Sequence, residues 1–316
     1  MPALRLLALL LALALLAACG DDPDDTVAID PAEDDPADEA TPDPDEEPVE
    51  AEEAEEPEEA DDEPVEAAEE DDADGLASVR VWVVREHDGR LWLESERRDL
   101  PEPTVAVASA AMTELLSQPT RHPDLTAPAG TDVSVLDVAV DDGVLTVDVD
   151  EAIRDAATGA EGELMLEQAL AHTGAQFDTV DAVRLHVEGE EISELWGHLD
   201  WSEPATPSDE HLAFIDVTDP EWLDTHPIGE PLTVRGTSLT FEATVPATLV
   251  DPDGLVVEEA FTTADQPDID IRGPFELTFD TAPDQPGRWT IVVDDPDPSD
   301  GEAGEPYFVE MLIEVE

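Results

Sequence analysis

A chain of 316 residues with 84 Asp and Glu against 12 basic residues carries a formal charge of −72. All the basic residues are arginine, and no basic stripe exists to neutralise phosphates, so nucleic acid is excluded as a partner. The single cysteine, Cys19, permits no internal disulfide.

Chemistry begins at the N-terminus. The apolar run from Leu6 to Ala18 has about 13 residues, short of the roughly 20 that span a bilayer and suited to the core of a signal peptide. Arg5 is the only charged side chain ahead of it, and the run closes on Leu16-Ala17-Ala18-Cys19-Gly20. That string resembles the lipobox of bacterial lipoproteins. The resemblance implies cleavage between Ala18 and Cys19, lipidation of Cys19, and a chain held by lipid at the outer face of the cytoplasmic membrane. The alternative is an ordinary secretory signal with an incidental cysteine.

Residues 19–74 read as an acidic disordered linker. Asp21–Asp74 holds about 30 acids, no base and many prolines, too little apolar surface to offset the entropy of ordering. Its roughly 54 residues reach at most about 180 Å when extended. A neutral coil of that length averages about 40 Å, and self-repulsion expands this one further. The segment would lift a folded head away from the membrane; binding of a basic partner is the competing role.

Residues 75–190 alternate between strand and helix signals. VRVWVV (Val79–Val84), Asp88-Gly89 and RLWLE (Arg90–Glu94) read as a hairpin. Val105, Ala108, Met112, Leu115 and Leu116 fall at helical spacing before Pro119. A second hairpin pairs Val133–Val140 with Val144–Asp150 around Asp142-Gly143. A second helix carries Leu166, Leu170, Thr173 and Phe177, and a last strand follows at Ala182–Gly189. The order ββαββαβ, with two helices on one face of a sheet, predicts an α+β domain. The opening hairpin, the AMTELLSQPT helix end, the APAGTDVSVLDVAVDDGVLTVDV hairpin and LMLEQALAHTGAQFDTVDAVRLHVEGE together resemble the sporulation and spore-germination domain GerMN. The family is not established as enzymatic. Its members usually carry glycine where Gln118 stands and a bulkier apolar run in place of Ala171–Gln176.

Residues 191–210 form a connector with Trp196 and Trp201, for which packing between domains is the simplest reading. Residues 211–316 contain about seven short strand-like runs separated by turn residues, which predicts an immunoglobulin-like β-sandwich. Pro246 interrupts one run and places it at an edge or a bulge. Pro231–Glu259, with its FEATV core (Phe241–Val245) and D-x-D-G turn, resembles the immunoglobulin-like domain of bacterial spore-germination proteins. That domain commonly follows GerMN in lipoproteins.

Reactive motifs are absent or incomplete. Gly236-Thr237-Ser238 lacks the second glycine of a hydrolase elbow, and no two histidines are spaced i, i+4. Asp295, Asp297, Ser299, Asp300 and Gly301 approach a calcium loop, but the glycine is one position late and Pro306 replaces the closing glutamate. Asp251, Asp253 and Gly254 read as a turn. No catalytic residue, metal site or cofactor is therefore assigned. The expected function is a non-enzymatic binding or scaffold protein of the cell envelope, with an unidentified envelope-protein or cell-wall partner and an oligomeric state the sequence leaves open. A sheet edge would offer a pairing surface. A cell-wall glycan-remodelling enzyme or its accessory is the main alternative, and a divalent-ion buffer a narrower one.

The folded part keeps a charge of about −43, which repels itself at low ionic strength and is screened within about 3 Å at 1 M salt. Together with the absence of lysine, this predicts adaptation to high salt. Gly75–Glu316 should melt at a clearly higher temperature in molar salt than in dilute buffer. Equal melting temperatures would contradict that reading.

Overall fold

The computed structural model describes residues 78–101, 106–296 and 306–316. Ala18, Cys19 and the acidic segment lie outside the described residues, as do Asp297, Ser299, Asp300 and Gly301. The described residues all fall in one compact unit, Ala67–Glu316. No helix among them is long and apolar enough to cross a membrane.

The chain opens with β1 (Ser78–His87) and β2 (Arg90–Asp99), paired antiparallel over their full length. Asp88 and Gly89 both have positive φ, at 49° and 71°. Two such residues make the tight turn whose twist suits a hairpin, which is why Asp-Gly is legible in sequence. Helix α1 (Val107–Ser117) follows and buries Ala111, Met112, Leu115 and Leu116. Then come β3 (Leu125–Thr126), β4 (Val135–Asp141) and β5 (Val144–Val149), the last two again joined through an Asp-Gly turn. Helix α2 (Gly159–Ala175) crosses over to β6 (Ala182–Val187), parallel to β5, and β7 (Glu190–Glu191) ends the domain.

The α+β class and the order of long elements agree with the sequence reading. The strands, however, divide into two sheets, β2-β1-β3 and β4-β5-β6-β7. Helix α2 packs against β1 and β2 of the first and β6 of the second. It is buried around most of its circumference, from Gly162 to Gly174. The reason lies in a second, small-residue face beside the leucine stripe. A Cβ at Gly174 would collide with Val183, so glycine lets the helix approach β6 closely. The run Ala171–Gly174 is thus core rather than surface.

The second half is built from β8 (Ile215–Asp219), β9 (Thr225–His226), β10 (Thr233–Ser238), β11 (Thr244–Val250), β12 (Val256–Thr263), β13 (Gly273–Thr278), β14 (Gly287–Asp294) and β15 (Phe308–Val315). They form sheets β13-β10-β8 and β12-β11-β14-β15-β9. Alternate residues of the two, among them Val234, Leu277, Leu249, Ile291 and Ile313, close on Trp289 in a shared core. This is a β-sandwich. Strand β11 has neighbours on both sides, yet Pro246 stands just before Ala247–Val250, the stretch that pairs with β14. The strand is therefore edge-like over Thr244–Pro246, and its register with β12 shifts between Leu249 and Val250. Phe241–Ala243, read in sequence as part of this strand, form a short turn in which Glu242 and Ala243 have positive φ.

Candidate functional site

Strand β2 reads RLWLESERRD, and Trp92 through Glu96 are all buried. It is the outer strand of its sheet, so one row of backbone groups has no strand partner. Buried and unsatisfied, each such group would cost about 1–3 kcal/mol. The sandwich supplies the partners. The Ala213 N–H donates to the Leu93 carbonyl at 2.9 Å. The Ser95 N–H and Oγ donate to the two carboxylate oxygens of Asp216 at 2.9 and 2.7 Å. The Arg97 N–H donates to Glu221 Oε1 at 3.2 Å. A sheet edge, expected as a surface for a partner strand, is here closed by carboxylates of the neighbouring domain. Trp92 extends the join by packing into the sandwich core, with its ring 4.9 Å from Phe214.

Around this edge the charged side chains interlock. Arg80 on β1 donates through Nη1 to Ser95 Oγ at 3.1 Å, pairs with Glu221 at 3.1 Å, and donates through Nη2 to the Thr218 carbonyl at 2.8 Å. Glu94 accepts from Arg85 Nε, from Arg85 Nη2 at 3.0 Å and from the Tyr307 hydroxyl on β15. Glu96 takes the backbone N–H groups of Arg121 and His122 at 3.0 and 2.8 Å and pairs with Arg98 at 2.6 Å. His122 in turn reaches the Glu310 carbonyl at 2.8 Å, and its ring lies tilted at 56° with its centroid 4.1 Å from that of Trp222.

Burial dominates the electrostatics. It pushes the Glu94 carboxyl above its ordinary value in spite of Arg85. It also raises Tyr307 well above the usual phenol value, with Glu94 adding to the effect. Arg85 rises: burial opposes its charge most, but Glu94, Tyr307 and Asp124 together outweigh burial. Burial lifts Glu221 to about 7 and Asp216 adds to the rise, while Arg80 and Arg97 pull the other way. Desolvation thus exceeds the attraction at Glu94 and Glu221, so their pairs add little net stability. The arrangement holds no activated nucleophile: each reactive-looking group is spent on another. Removing one partner of such a pair costs about 3–5 kcal/mol.

Trp196 and Trp201 lie elsewhere, which corrects the reading of them as packing between domains. Both join the core of the first domain. They enclose Glu163 of α2, which is fully buried and accepts from the Trp196 and His198 N–H groups and from Trp201 Nε1 at 3.1, 3.0 and 2.9 Å. The connector is fastened down because this buried carboxylate demands donors. Ser238 is buried within β10 and not on an elbow. Asp251 Oδ1 accepts from the N–H groups of Asp253 and Leu255, both at 2.9 Å, as a turn requires. Among the described residues, no three His, Cys, Asp or Glu are grouped to hold a metal.

The sequence contains two family matches. Residues 82–193 match the family described as sporulation and spore germination, and residues 214–302 match the immunoglobulin-like domain of bacterial spore germination. Neither description names an enzymatic activity. Among solved structures, the tandem GerMN domains of the sporulation protein GerM from Bacillus subtilis are 20% identical, with 47% of this chain and 51% of that chain covered and a TM-score of 0.38. This chain therefore spans about half the length of that tandem structure. The first GerMN domain of the same Bacillus subtilis protein is 19% identical, over 43% of this chain and 97% of that one, with a TM-score of 0.33. No curated protein matches the chain.

The proton balance of Glu221 yields a prediction. Its folded value lies above the unfolded one, so the folded state holds the extra proton between about pH 4.5 and 7. Stability from this group is full at the acid end and is lost as pH rises through 7. In molar salt, Gly75–Glu316 should melt higher at pH 5 than at pH 8, with up to about 3 kcal/mol from Glu221. The rise should shrink in Glu221→Gln. An equal rise in both proteins would contradict the assignment.

Proposed function

We infer that this chain, which carries a sporulation and spore germination domain followed by an immunoglobulin-like domain of bacterial spore germination, is a non-enzymatic lipoprotein of the cell envelope. Cys19 carries the lipid, the acidic segment is the stalk, and the two domains are the binding or scaffold head at the outer face of the cytoplasmic membrane. The observation that carries the reading is the succession of these two domains behind a lipobox-like string. The closed seam supports it: two domains joined through buried pairs present one rigid surface, as a scaffold needs, rather than a cleft that opens and shuts on a substrate.

Purified Gly75–Glu316 in molar salt, mixed with isolated cell wall and sedimented, tests the head. The expected result is co-sedimentation with no glycan or peptide fragment in the supernatant. Release of fragments would overturn the non-enzymatic reading. Neither sedimentation nor release would remove the wall as partner and leave an envelope protein.

A further inference from the structure

The sandwich closes the edge of β2 and has an open edge of its own. Strand β12 is an outer strand of its five-stranded sheet, with β11 as its one strand neighbour among the described residues. Thr263 stands opposite Thr244, and just beyond it the Ala264 N–H donates to the Ala243 carbonyl at 2.8 Å. Antiparallel ladders alternate, so Thr262 and Ala260 also turn their backbone groups to β11, while Thr263, Phe261 and Glu259 turn theirs outward. Pro246, opposite Phe261, agrees with this register. Its missing N–H falls on the β14 side, where pairing starts only at Ala247. Glu259, Phe261 and Thr263 are all exposed, Phe261 by 73%. Other outer strands carry the usual protection against strand addition: β4 exposes Asp137 and Asp141, and β13 exposes Pro274 and Glu276. On β12, Glu258 accepts from the Asp280 and Thr281 N–H groups at 3.0 and 2.7 Å, which leaves Glu259 as the strand's uncommitted charge.

We propose that β12 docks on β12 of a second copy of this chain, antiparallel about a two-fold axis at Phe261. Two-fold pairing joins a patch to itself, so the strand must be complementary to its own reverse. About Phe261 it is. Phe261 meets its counterpart, each ring beside its own Pro246, and Glu259 stands opposite Thr263, whose hydroxyl donates to the carboxylate. No like charges are opposed in this register, whereas an axis at Glu259 would set two carboxylates against each other. The outward N–H and C=O groups of Glu259, Phe261 and Thr263 then exchange hydrogen bonds with those of Thr263, Phe261 and Glu259 in the second copy, and the sheet runs on through both. Heads of about −43 each repel in dilute buffer, and molar salt screens that charge within about 3 Å, so the pairing depends on salt. The inference rests on the β12 edge and stands apart from the envelope reading.

Sedimentation equilibrium of the full chain in density-matched detergent tests it. A dimer is expected in molar KCl and a monomer in dilute buffer. Phe261→Glu sets two carboxylates at the axis and should raise the dimer dissociation constant about tenfold or more, with the circular dichroism of the monomer unchanged at so exposed a position. Leu136→Glu, at an exposed position on β4, should leave the dimer as tight as before. Hydrogen exchange in molar KCl reads the register in the native sequence. The amides of Glu259, Phe261 and Thr263 should slow about tenfold or more as rising protein concentration forms the dimer, while those of Ala260 and Thr262, already bonded to β11, hold steady. A monomer at every concentration in molar salt would overturn the proposal. So would a dimer equally tight in dilute buffer or in Phe261→Glu, or outward amides that exchange as fast in the dimer as in the monomer.

Discussion

An outer strand must find partners for its open backbone edge, and in this protein the open edge of β2 is the constraint on which the architecture turns. Leu93, Ser95 and Arg97 present that edge, and the sandwich answers with one backbone N–H and the carboxylates of Asp216 and Glu221. Carboxylates suit the task because they accept without needing a strand of their own, and they block further strand addition. The solution puts charge in a place that excludes water. Arg80, Arg85, Arg97 and Arg98 therefore sit on β1 and β2 opposite Glu94, Glu96, Asp216 and Glu221. The two domains are joined by a network in which removing any member strands another.

Charge economy explains the choice of residues. A chain at −72 has few cations to place. Guanidinium bonds carboxylates through two parallel donors and is less strongly hydrated than an ammonium, so it is the cation that tolerates burial. The exposed surface needs little positive charge where salt screens the repulsion. The interior cannot borrow salt, and the arginines buried there, Arg85 and Arg98, each pair with a buried glutamate.

Much of the fold was legible. The Asp88-Gly89 and Asp142-Gly143 turns, the alternation of β5 and β6, and the seven longer strands of the sandwich all follow from local chemistry. The division of the first domain into two sheets was hidden, because the second face of α2 is made of alanine, threonine and glycine and carries no hydrophobic signal. Trp196 and Trp201 read as interface residues because nothing marked Glu163 as buried; in sequence it is one acid among many. The seam was illegible for the same reason. ESERR on β2 looks like a solvated strand, and only the apposition of Asp216, Glu221 and Tyr307, more than a hundred residues away, makes it a core. Tyr307, the single tyrosine of the chain, was the one available hint.

The seam makes one body of two domains, and calorimetry of Gly75–Glu316 in molar salt addresses that directly. A single transition with equal calorimetric and van't Hoff enthalpies is expected, resolving into two when Asp216 and Glu221 are both replaced by alanine. Two transitions in the native sequence, or a doubly substituted protein that still melts once at the native temperature, would contradict it.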